Sequence, residues 1–465
     1  MILYGRKEEM RLLEENAEAA GFRLVTMYGR RRVGKSYLLH CLKENLKTKS
    51  LYFQCADSSE RDNADSFAGE LATSLGLPLA NSLSFIDLLR MVFALSQHEK
   101  IVLLLDEYPF LKKRIPGLDS LLSKAIAEYP AANLTLILAG SYIGEMLETS
   151  ASDGALRGRN LTSIFVKPLP YNEVALFFPK YSPEEKMTLY AVFGGIPYYA
   201  AKIDPALSPE DNIIKLFLST STDMRDEPGE LLKEIAKVDG AKEVLSAIAM
   251  GQHSFSDIYG RTSYKNSAAL AFTLNQLLTM GYVERVKILS EKAKELRGYY
   301  YYIADGFLSF YFSLLRPNLS SIGLVSPQDF FQVLVRAPLE TIFIPKRFEC
   351  LAREFLSERN RKKENPHLLL RLEEAVYNRP GLSRQFDARG VRADGDIYYE
   401  CKYTKEPISV KEITALEDSL KECELPYISL GFFAKNGFDE KARARIKEKG
   451  YEAYTLNDLY PSEKV

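Results

Sequence analysis

The chain has no long apolar run and almost no net charge. Both features narrow the class of protein to which it can belong. No stretch approaches the roughly 18 apolar residues that a membrane-spanning helix needs, and the N-terminal MILYGRKEEM is not a secretion signal. The formal net charge of -1 excludes a global basic field for nucleic acid, so any such binding needs a local patch. We therefore expect a cytoplasmic protein without membrane contact.

Cysteines are few and unpaired in pattern. There are five, none of them in a CxxC pair: Cys41, Cys55, Cys350, Cys401 and Cys423. An odd number without paired spacing predicts reduced thiols in a reducing compartment. Internal repeats and low-complexity tracts are also absent. The 465 residues, 46% of them apolar and 26% charged, favour about two to four ordinary globular domains.

Short apolar runs alternate with amphipathic stretches in roughly the first 180 residues. The runs that read as strands are Leu24–Tyr28, Ser50–Ala56, Ile101–Leu105, Leu134–Gly140 and Leu161–Val166. Helical patterns such as 37–46 and 83–95 lie between them. Strands spaced by helices predict an α/β fold with a parallel sheet covered on both faces.

A phosphate-binding motif follows the first of these runs. The stretch from Gly29 to Ser36 matches GxxxxGK[ST] between a strand pattern and a helix pattern. Two glycines let the backbone wrap around phosphates, the lysine brings a positive charge to them, and the serine hydroxyl can bind Mg²⁺. The predicted ATP-binding residues here are Gly29, Arg30, Arg31, Arg32, Val33, Gly34, Lys35, Ser36 and Tyr37.

Two acids stand at the end of the apolar run Ile101–Leu105, where open α/β sheets bind ligands. Asp106 is predicted to hold Mg²⁺, and Glu107 to orient or deprotonate the attacking water. Ser141 ends another run and is predicted to sense the γ phosphate or the water, to cap a helix over 142–147, or to do both. In the following polar loop, Arg157 or Arg159 either stabilises charge on the transferred phosphate or is simply solvated.

The pattern becomes helical after Pro170. Residues 171–230 predict a small helical lid, and 231–316 predict three helices followed by strands, the order of a winged helix. The expected recognition helix, 267–279, follows the donors Arg261, Lys265 and Asn266. The expected wing carries Arg285, Lys287, Lys292, Lys294 and Arg297. This module is expected either to contact DNA or to serve in packing. For the tyrosines 299–302 we favour core packing over base stacking.

With these motifs the chain resembles the archaeal-type AAA+ ATPase family, which is related to the STAND signalling ATPases. The resemblance rests on six motifs: Tyr4–Glu9, Gly29–Ser36, Asp106-Glu107, Ala139–Ser141, Arg157–Arg159 and Gly194–Tyr199. It implies that Gly5 and Arg6 pack against the nucleotide base and that the GGxP motif belongs to the lid. It also implies that the last third of the chain has a restriction-endonuclease-like fold.

The last third carries an arrangement of acids typical of nucleases. Asp387 and Glu400-Cys401-Lys402 have the layout D-x12-E-x-K. Asp387 is expected at the end of a strand over 382–388, and Glu349 on a preceding helix over 346–358. On a strand over 396–403, the glutamate and lysine share one face because the side-chain period is two. Two carboxylates can hold Mg²⁺ while the lysine polarises a phosphate. The alternative is an ordinary ion pair on an amphipathic strand.

The expected domains are a P-loop ATPase core (1–170), a helical lid (171–230), a winged helix (231–316), a connector (317–345) and a restriction-endonuclease-like domain (346–465). The expected function is Mg²⁺-dependent ATP hydrolysis driving a conformational switch coupled to DNA, with a homo-oligomer as a further expectation. One alternative is an ATP-gated DNA nuclease. The other is a STAND-type signalling scaffold without nuclease activity.

Overall fold

The computed structural model describes residues 3–76, 83–150, 154–156, 158, 160–219, 227–231, 235, 238–289, 298–379 and 381–461. The chain forms two compact units. The first comprises the residues up to Leu169 together with Ile196–Tyr198, and the second comprises Pro170–Gly195 and the chain from Tyr199 onward. No helix in the described ranges is long and apolar enough to cross a membrane.

A five-stranded sheet forms the centre of the first unit. Its strands are β1 (Arg23–Tyr28), β2 (Lys49–Gln54), β3 (Ile101–Asp106), β4 (Leu134–Gly140) and β5 (Leu161–Phe165). All neighbours pair in parallel in the order β2-β3-β4-β1-β5. Every residue of β3 and β4 is buried, as expected for parallel strands covered on both faces. The parallel sheet predicted from the sequence is thus confirmed.

Helices surround this sheet. They are Lys7–Glu18, Lys35–Asn45, Glu60–Leu75, Phe85–Leu95, Tyr108–Arg114, Leu118–Glu128 and Ile143–Thr149. Apolar side chains of β2 and of the third and fourth helices form the centre of one layer, where the rings of Phe53, Phe67 and Phe85 pack 4.9–5.8 Å apart. Because the strands are parallel, the carboxyl ends of β1, β3 and β4 meet at one edge of the sheet.

The second unit begins with helices. They are Tyr171–Val174, Pro183–Phe193 and Pro209–Ile213, then Ala241–Ala249, Phe255–Arg261 and Ser267–Thr279. A 3-10 turn, Ala175–Phe177, and a π-helical turn, Ile214–Leu218, continue two of them. The helix Pro197–Ala200 spans residues of both units. The helical character predicted for 171–230 is therefore present in the described residues of that range.

A hairpin follows the last three of these helices. Its strands are β6 (Val283–Leu289) and β7 (Tyr299–Ile303), which pair antiparallel. The predicted order of three helices and two strands is present, and the predicted recognition helix has the predicted bounds. The name winged helix stays a prediction, and Lys292, Lys294 and Arg297 lie outside the described residues. Tyr301 is buried and its three neighbouring tyrosines are half-buried, in keeping with packing.

The hairpin does not stand alone, because it extends the sheet of the last third of the chain. That sheet adds β8 (Arg371–Arg379), β9 (Leu382–Val391), β10 (Asp396–Lys402), β11 (Ser429–Ala434) and β12 (Glu452–Thr455). The order is β12-β11-β10-β9-β8-β6-β7 with mixed directions. β6 pairs in parallel with β8 through Lys287 and Ala375. The strands were predicted in two modules, 231–316 and 346–465, whereas one sheet contains the strands of both.

The helix expected over 346–358 is longer than predicted. It runs as Ile344–Lys362 and continues a helical path from Pro327 that contains π-helical turns at Phe331–Val335 and Leu339–Phe343. Pro345 lies in the first turn of this helix, directly after the π-helical turn Leu339–Phe343. An earlier helical path comprises Gly306–Phe310, Tyr311–Leu315 and Arg316–Ser321, and later helices are Val410–Glu422, Glu440–Lys449 and Leu456–Leu459.

A half-buried glutamate on the long helix holds the N-terminal helices of the second unit. Glu354 accepts hydrogen bonds from the Tyr190 hydroxyl at 2.8 Å and from the Tyr171 backbone N–H at 3.2 Å. The Tyr460 ring packs edge-on against that of Tyr171, 5.3 Å away. Burial raises the pKa of Glu354 to about 7, because ionisation in an apolar site is unfavourable.

We expect this carboxyl to weaken the fold as pH rises. Between its ordinary pKa of 4.5 and about 7, the unfolded chain ionises Glu354 while the folded chain keeps the proton. Stability therefore falls across that window by roughly 3 kcal/mol and is flat above it. Glu354→Gln should lack this pH-dependent decrease, so the difference in unfolding free energy between variant and wild type should grow from pH 5 to pH 8 in urea titrations. A difference independent of pH contradicts the assignment.

Candidate functional site

The phosphate-binding loop joins β1 to the helix Lys35–Asn45. Two of its positions require glycine. A Cβ on Gly29 would lie 2.3 Å from the Val166 carbonyl oxygen, and Gly34 has φ 98°, which L side chains rarely adopt. The loop can therefore follow β1 closely and turn directly into the helix, whose first backbone N–H groups are available to an anion.

Lys35 is buried inside this loop, with 4% of its surface exposed. Its Nζ donates to the carbonyl oxygens of Gly29 at 2.9 Å and Arg30 at 3.0 Å, and to Ser141 Oγ at 2.9 Å. A buried ammonium needs such partners, since an unpaired buried charge is strongly unfavourable. The predicted position of the lysine charge at the phosphate loop is consistent with this geometry.

The two acids after β3 face different partners. Asp106 is fully buried, and its carboxylate accepts from the Tyr52 hydroxyl at 2.9 Å and from the backbone N–H of Glu107 at 3.0 Å. Burial and the Asp106 charge raise the pKa of Tyr52, so its hydroxyl remains a donor. Tyr52 was not predicted as a site residue. Its place on β2, the strand that pairs with β3, is the signal that identifies it.

Ser141 connects the lysine to the second acid. Its Oγ donates to Glu107 Oε1 at 2.7 Å, and its backbone N–H donates to Glu107 Oε2 at 3.3 Å. The next helix begins at Ile143 and has no side-chain cap. The alternative that Ser141 caps that helix is therefore wrong, because its hydroxyl points to the two charged groups instead. Glu107 itself has φ 53°, a left-handed backbone that turns its side chain at the strand end.

The N-terminal motif is fastened to the same loop. Arg6 is buried, and its guanidinium donates to the Val33 carbonyl at 3.0 Å and to Glu9 at 2.9 Å. Gly5 before it has φ 68°. A second residue of the loop, Arg32, has its guanidinium 4.3 Å from the centre of the Tyr198 ring. Tyr198 directly follows the GGxP motif. The role of Gly5 and Arg6 at a nucleotide base stays a prediction.

The remaining predicted residues differ in exposure. Arg31 and Tyr37 are exposed, while Ser36 is half-buried at the start of the helix. Arg157 and Arg159 lie outside the described residues. The Ser36 hydroxyl and the Asp106 carboxylate are hard oxygen donors of the kind Mg²⁺ prefers. Asp106 retains acceptor capacity beyond its two hydrogen bonds, so the residues present fit this ion.

We expect Ser141→Ala to separate the lysine from the glutamate. The change removes hydrogen bonds to two charged groups. If the transition state loses the equivalent of one such bond, about 1.5–3 kcal/mol, ATP turnover should fall by roughly 10- to 100-fold. Nucleotide affinity should change much less, because the phosphate loop stays intact. Ser141→Thr retains the hydroxyl and serves as the matched control. A parallel decrease of affinity and turnover in Ser141→Ala would show that the serine is merely structural.

A second group of acids lies in the second unit. Glu400 and Lys402 form an ion pair on β10, which confirms that they share one face. Asp387 accepts a hydrogen bond from the backbone N–H of Cys401 at 2.8 Å. Burial, and then the charges of Glu349 and Glu400, raise the pKa of Asp387 well above its ordinary value. The predicted residues are thus near enough to interact electrostatically.

Two details differ from the prediction. Asp387 lies within β9, which continues to Val391, and not at the end of the strand. Glu349 pairs with Lys346, whose Nζ lies 2.6 Å from its Oε2. The predicted acids therefore face separate partners, and no group of three or more His, Cys, Asp or Glu in the described parts of the chain has an arrangement suited to a metal ion. The residues present do not fit a nuclease metal.

Sequence reasoning missed the most buried member of this group. Glu374 on β8 is 2% exposed and accepts from Lys346 at 3.0 Å and from Gln385 at 2.6 Å, while Arg353 lies 3.2 Å away. The register of β8 against β9 shifts between Glu373 and Ala375. The available signal is weak: Glu374 directly precedes the apolar pair Ala375-Val376 in a strand whose remaining residues are largely polar.

Comparisons with known proteins agree with the geometry of the first unit. Residues 3–203 match the model of an ATPase domain predominantly from Archaea. The uncharacterized protein MJECL04 of Methanocaldococcus jannaschii is 29% identical over 372 residues, which are 79% of this chain and 80% of that protein. The Walker-type ATPase PABY2304 of Pyrococcus abyssi is 19% identical and aligns over 67% of this chain and 96% of its own, with a TM-score of 0.51.

These comparisons define a class for one part of the chain. At 19% identity the Pyrococcus abyssi structure shows a shared fold alone. The family match over residues 3–203 and the geometry of the loop together support an archaeal-type P-loop ATPase domain in this part of the chain. The last third of the chain carries a mixed sheet, and its restriction-endonuclease-like identity stays a prediction.

Proposed function

We propose that the protein is a Mg²⁺-dependent ATPase that works as a conformational switch. The chain of hydrogen bonds from Lys35 through Ser141 to Glu107 carries this proposal. It joins Lys35, which is proposed to contact the phosphates, to Glu107, which is proposed to contact the attacking water. A displacement of one group therefore alters the hydrogen bonds of the other. Such a connection suits an enzyme that must register whether the γ phosphate is present.

Each residue has a defined task in this proposal. The backbone N–H groups of the loop bind the phosphates, and Lys35 turns its ammonium from the loop carbonyls toward them. Ser36 and Asp106 would hold Mg²⁺, which neutralises charge on the phosphate oxygens when bound. Glu107 orients the attacking water and accepts its proton. Arg157 or Arg159 is proposed to place positive charge at the γ phosphate.

We expect Glu107→Gln to bind ATP normally and to hydrolyse it at least 100-fold more slowly, as is typical when a general base is removed. The amide keeps the shape of the side chain and removes only its basicity. Affinity for a fluorescent ATP analogue and single-turnover phosphate release measure the two properties separately. Lys35→Ala is the comparison variant and should lose nucleotide binding itself. Equal turnover in wild type and Glu107→Gln refutes the role of the glutamate.

DNA is the proposed partner of the switch. Four cations near the predicted recognition helix are exposed: Arg261, Lys265, Arg285 and Lys287. Two of them precede the helix and two lie on the hairpin, which are the positions that contact the DNA backbone in winged helices. The helix itself exposes Phe272, Asn275 and Thr279. This surface supports backbone contact more than reading of bases.

We expect duplex DNA to bind with an affinity that falls steeply with salt. Replacing Arg261 and Lys265 by alanine should weaken binding at low salt about tenfold. It should also reduce the salt slope by about two, because each of the two cations neutralises one phosphate. Lys124→Ala with Arg23→Ala, in the first unit, is the control with an equal change in charge. Fluorescence anisotropy at several salt concentrations measures both quantities. Nucleotide-dependent oligomerisation without DNA affinity would favour the signalling scaffold instead.

The ATP-gated nuclease is the weaker alternative. Glu349 and Glu400 are each engaged with a lysine, and Asp387 with a backbone N–H. A metal-dependent nuclease needs two carboxylates directed at one ion. We therefore propose a binding role for the last third of the chain.

A further inference from the structure

A cavity of about 830 Å³ lies in the second unit beside this group of acids. Its walls come from the hairpin, the long helix, β8 and β9, and also from residues 248–253, 309–314 and 338–343. Six charged side chains line it: Glu284, Glu349, Glu374, Asp387, Lys346 and Arg347. Four acids against two bases make the lining rich in carboxyl groups. Such an arrangement needs a cation among the acids, since like charges in a poorly solvated place repel one another strongly.

Lys346 supplies that cation from within the chain. Its Nζ lies 2.6 Å from Glu349 Oε2 and 3.0 Å from Glu374 Oε1, and 5.0 Å from the centre of the Tyr302 ring. The ammonium therefore bridges a carboxylate of the long helix and one of β8. Both distances to the carboxylates are those of charge-assisted hydrogen bonds.

The surroundings keep the Glu374 carboxylate directed at the lysine. Glu374 is also bound by Gln385 and lies next to Arg353, while the register shift in β8 turns its side chain into the interior. Lys346 stands in the first turn of the helix, one residue after Pro345. Proline fixes the backbone there, so the lysine stem has a defined starting direction.

The charge on this lysine is secure at neutral pH. Burial alone would lower the pKa of Lys346, but the Glu349 and Glu374 carboxylates raise it above the ordinary value. Burial raises the pKa of Glu349, and its neighbour Asp387 has a raised pKa for the same first reason. Lys346 is thus the cation shared by Glu349 and Glu374, while Arg353 adds a second positive charge beside Glu374.

We propose that Lys346 is a built-in counter-ion that occupies the cation position among these carboxyl groups, so that this part of the protein takes up no divalent metal there. An ammonium 2.6–3.0 Å from two carboxylates fills the space in which an ion such as Mg²⁺ would gather six oxygens at about 2.0–2.1 Å. This inference does not depend on ATP hydrolysis. It explains why acids laid out as in a nuclease are not arranged as metal ligands.

The test compares metal binding with and without the lysine charge. All proteins carry Asp106→Asn, which removes the predicted Mg²⁺ ligand of the first unit. Mn²⁺ binding is measured without nucleotide by electron paramagnetic resonance of the free ion. The background protein should bind no Mn²⁺ at this place. Adding Lys346→Met, which keeps length and removes charge, should create one site that binds at least tenfold more tightly than anything in the background protein.

Two further variants assign the new site to these residues. Lys346→Arg keeps the charge and should create no site. Lys346→Met with Glu374→Gln removes one lysine and one acid, and should also bind no Mn²⁺. Because Lys346→Met leaves buried acids unpaired, it should melt at lower temperature, and Mn²⁺ should restore the melting temperature. Lys346→Gln provides the same comparison should Lys346→Met fail to fold.

Two results would overturn the proposal. One is Mn²⁺ binding by the background protein as tight as that of Lys346→Met. The other is a folded Lys346→Met or Lys346→Gln protein that shows neither Mn²⁺ binding nor stabilisation by Mn²⁺. In either case the lysine does not hold the cation position.

Discussion

The buried ammonium of Lys35 is the constraint on which the first unit depends. A charge with 4% exposure must be surrounded by acceptors, and three of them come from the end of β1 and the end of β4. Those ends are adjacent because β1 and β4 pair in parallel. Gly29 allows the loop to pass close against Val166, so the position of one lysine fixes the sheet edge, the loop and the serine together.

In the second unit, too, a buried charge must be surrounded by partners, but there the partners are themselves charged. There the buried charge is the Glu374 carboxylate, and Lys346 and Arg353 neutralise it from the long helix. In the first unit the lysine donates to neutral oxygens of the loop and of a serine, which phosphate oxygens can replace without leaving a charge unpaired. In the second unit the lysine is held by two carboxylates, and charged partners of a buried ion are costly to replace. Lys35 is therefore suited to binding a ligand, whereas Lys346 is suited to holding the long helix against β8.

The sequence predicted what depends on neighbours in the chain. The loop 29–36, the acids after β3 and the helix 267–279 are each defined by a local pattern of glycine, charge or apolar period. Contacts between distant residues were not predictable in this way. The pairing of β6 with β8, and the burial of Glu374 that follows from a register shift, depend on which strands meet. Ser141 lies between these two cases. Its place at the end of β4 was predicted from the local pattern, but the direction of its hydroxyl, on which its two interpretations depend, was not.

The switch proposal also needs a route out of the nucleotide site, and the chain itself provides a short one. Tyr198, the last residue of the segment Ile196–Tyr198, contacts Arg32 of the phosphate loop. The adjoining residues on either side, up to Gly195 and from Tyr199, belong to the second unit. Gly194 has φ 66°, a backbone state that glycine enters without strain. Arg32 therefore contacts a short segment of the first unit that is covalently joined on both sides to residues of the second unit.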